Sequence, residues 1–188
     1  MKRTLNIKDS RHSHKKKHVS DAFIDVIYAY VKAIQSMPSD QNRPLKGGLD
    51  FALRLLTGSH ATFVSESVLK HIESNKLNVN PFKLIWEDRN KMGKILLGQR
   101  NVSFAVWEHA HTIKDMRDQL IMLDTRETVA KIIYDYPGVA WISRKEDDEL
   151  NTRGFSRTRP GGFLKCYKEA GITLLNEQMY DASGYKKT

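Results

Sequence analysis

Three short apolar runs are the best strand candidates in this chain: Ile95-Leu96-Leu97, Val102 to Trp107, and Val139 to Ile142. Elsewhere the apolar residues recur at spacings of three and four, the signature of helices with one buried face. Together these patterns predict an α+β fold, an α-rich single domain with a short sheet of about three strands. The first helical face is Phe23, Val26, Ile27, Tyr30, Val31 and Ile34, on a helix from Asp21 to about Ser36 that Ser20 caps. Pro38 and residues 40–44 end it. Further helices are expected over 49–56, 65–75, 82–90, 113–123, 125–134, from a Ser143 cap to Gly154, and over 163–170. Trp86 and Trp141 continue apolar runs and read as core, whereas Trp107 is either core or the wall of a cleft.

A chain of 188 residues suits one domain that buries a proper core. Residues 20–176 are expected to form it, between a flexible basic arm at 1–19 and a loose tail at 177–188. No run of about 18 apolar residues occurs, so no membrane span is expected. The single cysteine, Cys166, excludes an internal disulfide and any multi-cysteine zinc site, which points to a reducing cytoplasm. No Gly-x4-Gly-Lys-Ser/Thr, Gly-x-Gly-x-x-Gly, Gly-x-Ser-x-Gly or His-Glu-x-x-His motif is present, so the corresponding enzyme classes are not indicated.

The charge is more informative. Lys+Arg number 31 against 22 Asp+Glu, a net +9, and the surplus is gathered into blocks. Residues 1–20 carry seven basic side chains, Lys15, Lys16 and Lys17 among them, against Asp9 alone. Residues 152–168 carry Arg153, Arg157, Arg159, Lys165 and Lys168 with no acid. Clustered positive charge attracts phosphate backbones, so DNA or RNA is the expected partner and these eight residues are the candidate contacts. Phe155 and Phe163 could stack on bases or fold back into the core. His12, His14 and His18 lie among lysines that repel a cation, so they read as part of a nucleic-acid-seeking tail. An acidic protein is the other partner that such a surface could take.

One junction has the composition of a catalytic centre. The strand ending in Trp107 runs into Glu108-His109-Ala110-His111, and a histidine fixed at a strand end is a suitable general base. Glu108 and His111 are candidates for the same centre. Thirty-four residues on, the strand Val139 to Ile142 feeds a helix with Glu146, Asp147 and Asp148, where acids also suit the helix dipole. Beside an arginine-rich loop, such carboxylates could hold a hard cation against a phosphate.

The strand-to-histidine junction followed by a strand-to-helix unit resembles the ββα-metal plan of HNH-type nucleases. That resemblance implies a metal-dependent endonuclease with His109 as the base that activates water. It also implies magnesium or another divalent cation held by Asp147 and Asn151. The Trp-Glu-His junction, the Glu-Asp-x-x-Leu helix and the Arg-Pro-Gly-Gly turn, within residues 85–172, are also similar to uncharacterised phage-encoded proteins. A non-catalytic phage factor that binds DNA, RNA or a host protein is the alternative.

Overall fold

A computed structural model describes residues 21–55, 61–98 and 100–176. The expected basic arm with Lys15, Lys16 and Lys17, the Ser20 cap and the tail at 177–188 lie outside the described residues. The described residues form two compact units, one from 21–55 with Met116–Pro137, the other from 61–115 with the chain from Gly138 onward.

The first unit is helical. Helix α1 (Asp21–Ser36) buries Ile24, Ile27, Val31 and Ile34, and α2 (Arg43–Leu55) buries Leu49, Ala52 and Leu53. Helix α2 begins six residues before the expected start. Pro44 sits in its first turn, where a missing N–H costs nothing, so this proline opens a helix.

The second unit holds the main sheet. Its strands are β1 (Phe63–Ser65), β4 (Ala105–His109), β5 (Val139–Ser143) and β6 (Leu174–Asn176), in the order β4-β5-β1-β6. β4 is antiparallel to β5, β5 parallel to β1, and β1 antiparallel to β6. The α+β class and helix-rich character stand, with a fourth strand in the main sheet. A separate hairpin pairs β2 (Lys94–Leu97) with β3 (Arg100–Ser103). The expected single strand from Val102 to Trp107 is therefore two strands, bent at Phe104. That ring stacks on His71 of α3 (Glu66–Ser74), with centroids 3.7 Å apart.

Between β4 and β5 run α4 (Ile113–Leu120) and α5 (Arg126–Tyr134). Helix α4 opens in the second unit and closes in the first, and α5 belongs to the first, where Val129, Ala130 and Ile133 are buried. After β5 come α6 (Arg144–Thr152) and α7 (Phe163–Glu169). The segment 82–90 folds as two 3-10 pieces, Pro81–Lys83 and Trp86–Met92. Trp141 is fully buried, as expected, but Trp86 is not core: it is 51% exposed and carries the Arg89 guanidinium 4.1 Å from its ring centroid. Among the described residues, no helix is long and apolar enough to cross a membrane.

Candidate functional site

Both parallel strands end in a serine that caps the next helix. Ser65 Oγ accepts from Val68 N at the start of α3, and Ser143 Oγ accepts from Glu146 N at the start of α6. Glu146 completes a capping box by accepting from Ser143 N at 2.7 Å, and it also accepts from Ser65 Oγ at 2.7 Å. One of the three adjacent acids thus ties the ends of β1 and β5 together, a structural task.

A different group of residues converges on Arg159. Its side chain is 1% exposed, and its Nη2 donates to Glu108 of β4, whose side chain is 19% exposed. Its backbone N donates to Asp115 Oδ2 at 2.8 Å, and two residues earlier the Arg157 carbonyl accepts from Thr112 Oγ1 at 2.7 Å. These bonds hold the loop after α6 against the strand end and the first turn of α4. The guanidinium lies 5.6 Å from the ring centroid of Tyr167, while its Nε and Nη1 meet no hydrogen-bond acceptor among the described residues. A guanidinium buried with one strong partner and two unused donors is costly to keep, which makes Glu108 its indispensable partner.

The ionisable neighbours respond to this setting. Burial pushes the His111 imidazole below its ordinary value, with the charge of Asp115 opposing and that of Arg159 assisting. Burial also lifts the Asp147 carboxyl, helped by Asp148 and opposed by Arg144, Arg159 and the Asn151 amide. The Tyr167 phenol is driven far up by burial, and Glu108 adds to the effect. A lowered imidazole pKa and a raised carboxyl pKa, both acted on by the charge of one arginine, bring the two titrations towards each other.

The sequence candidates thus divide. Glu108, His111, Asp147 and Arg159 belong to one polar cluster, in which Arg159 is buried and the other three are half-buried. His109 closes β4 opposite Val139, half-buried. Asp147 and Asn151 stand one turn apart on α6, the amide 3.5 Å from the carboxylate. They do not fit a divalent cation well: one carboxyl reluctant to ionise, influenced by two guanidinium groups, is a weak donor set. No group of three or more His, Cys, Asp or Glu that could hold a metal occurs among the described residues.

Of the five basic candidates in 153–168, Arg153, Arg157, Lys165 and Lys168 are exposed. Arg153 pairs with Glu149 at 2.6 Å and Lys165 with Glu169 at 3.7 Å. Arg159 is the exception, since its ion pair draws it beneath the surface, out of reach of a backbone phosphate. Phe155 and Phe163 are half-buried against the cluster of Phe63, Ala140, Ile142, Leu150 and Tyr167. Cys166 is buried and donates to the Pro160 carbonyl at 3.4 Å, and burial raises its thiol. The parts that sequence reasoning missed are Asp115, 44 residues from the Arg159 amide that it holds, and Tyr167, whose ring lies under the same arginine from only one helix further on. Comparison with protein families, with curated proteins and with solved structures finds no match for this chain.

Proposed function

We propose that this chain binds nucleic acid through the cationic segment 153–168. The observation that carries the reading is a division of labour within that segment. Arg159 is locked to Glu108 and Asp115, which fixes the loop, while Arg157, Lys165 and Lys168 stand exposed around it. Cations held on a fixed frame lose little entropy when they meet phosphates. The free, buried Cys166 is compatible with the cytoplasmic setting expected from the sequence.

A second reading, phosphodiester cleavage, is favoured by the antiparallel β4–β5 pair that runs straight into α6, with His109 at the end of β4 and Asp147 on the helix. On this reading His109 or His111 takes the proton from water. The divalent-cation dependence implied by the HNH resemblance belongs to the same proposal.

One experiment separates these readings: incubation with plasmid DNA and structured RNA in magnesium, manganese or EDTA. Binding predicts retardation that weakens steeply with salt, and a joint Arg157→Ala, Lys165→Ala change should flatten the salt slope by about two. Cleavage lost in His109→Ala, with retardation kept, establishes the second reading. Absence of retardation from both substrates overturns the nucleic-acid reading, and a complex with an acidic protein that survives about 0.5 M salt would replace it.

A further inference from the structure

The β2–β3 hairpin is firmly held at its base, and the end of β2 is bare. At the base, Phe104 N donates to the Gly93 carbonyl at 3.1 Å, Ser103 Oγ to the Arg89 carbonyl at 2.6 Å, and Arg144 Nε to the Ser103 carbonyl at 2.8 Å. Gly93, at φ +82°, makes room for the His71 ring that stacks on Phe104; a Cβ there would lie 2.9 Å from His71 Nε2. At the other end, Leu96 is 75% and Leu97 56% exposed, next to the turn at Gly98. Consecutive strand residues point to opposite faces, so the end of β2 is uncovered on both sides.

A bare apolar strand end is a liability that folds normally blunt with charge or cover. Here the charge lies beside the leucines. Residues 89–100 include Arg89, Lys91, Lys94 and Arg100 with no acid. Lys94 is exposed, and Lys91 pairs with Asp88 at 2.8 Å. Two leucines cannot supply the roughly 800 Å² per partner that a stable protein interface needs. They do have the size of the apolar wedges that enter between base steps while nearby cations hold the phosphates.

We propose that the β2–β3 hairpin is a DNA-kinking arm, in which Leu96 and Leu97 insert between base pairs of double-stranded DNA and Lys94 contacts the flanking backbone. The proposal rests on the nucleic-acid reading above and adds the kind of nucleic acid and the mode of engagement. The cost of unstacking a base step is recovered from the extra contacts that a bent duplex allows.

The test uses the full chain and a short duplex DNA carrying a donor and an acceptor dye at its two ends. Binding should bring the dyes closer. Joint Leu96→Ser and Leu97→Ser should abolish that change and weaken binding roughly tenfold. Both side chains are exposed, so an unchanged circular dichroism spectrum and melting midpoint will verify the fold. Lys94→Ala should keep the bend and lower the salt slope by about one. If the double variant binds and bends DNA as the original does, the hairpin proposal fails and the nucleic-acid reading stands. If the original chain binds no duplex DNA, the proposal falls, and retardation of structured RNA alone would show that the broader reading survives. Bending of duplex RNA but not DNA, or leucine changes that alter only self-association, would also overturn it.

Discussion

In the helical unit, the arginines that bridge distant segments range from partly exposed, Arg126, to mostly covered, Arg117 at 18% exposure. Arg126 reaches Asp21 at 3.1 Å and Asp25 at 2.5 Å with its side chain 34% exposed, and Arg117 reaches Asp50 at 2.8 Å. In the sheet-containing unit, Arg159 makes the corresponding bridge to Glu108 from full burial. The partners are chemically alike and the environments differ. Solvent and salt screen the exposed kind, so it orients helices and stabilises little. The buried kind has surrendered its hydration, so losing either partner strands a charge. The contrast indicates that the helical unit relies on its apolar faces, while the other unit has placed a polar device where its loop must not move.

The sharpest way to break this comparison is to remove Glu108. Glu108→Ala should destabilise the protein by about 3–5 kcal/mol in urea unfolding, because Arg159 stays buried without its partner. Glu108→Leu combined with Arg159→Met should recover most of that loss. A single-variant loss under about 1 kcal/mol would mean that the pair is no more than a surface bridge.

A smaller effect should follow pH. The folded-state imidazole of His111 is depressed, so above about pH 6.5 it is neutral in both states and makes no difference. As pH falls below that value the unfolded chain takes up a proton that the folded chain resists, and stability declines toward the folded pKa. Asp147 works in the other direction, since its raised pKa lets the folded state take a proton first and gain stability on acidification. Its window lies between that raised pKa and the ordinary carboxyl value of 3.8. Through His111, melting midpoints recorded between pH 7 and 5 should fall, and His111→Gln should reduce the slope. An unchanged slope would remove His111 from the polar cluster.

The smallest effect should come from Arg126→Ala, which ought to leave the midpoint where it was despite deleting two ion pairs. A clear loss there would erase the distinction between the two regions.

Local chemistry was readable along the chain wherever it acts locally. On α1 the spacing finds Ile27, Val31 and Ile34 but puts Val26, which is exposed, in place of the buried Ile24, while Ser143 caps its helix as expected. The α-rich α+β class follows from the scarcity of strand runs. What escaped depends on distant partners. β1 is three residues long and exists through its pairing with β5 and β6, which join it from far along the chain. Phe104 follows Ser103 at the head of the apolar stretch to Trp107, with no turn residue to mark a bend, and its stacking partner His71 is far away in the sequence. Glu108 and the basic loop were both visible as candidates, but nothing in their order shows that they meet. An arginine destined for burial looks the same in a sequence as one destined for solvent.

The route of the chain between β4 and β5 also bears on inheritance. Neighbouring strands of one sheet are separated by a segment that completes the helical unit, so the boundary is crossed three times, near residues 56, 115 and 137. No single recombination point can therefore exchange one unit and leave the other whole. A crossover near residue 57 would join α5 to a foreign α1, and the new partner would have to match Val129 and Ile133 by chance. Each half of this gene constrains what the other can become.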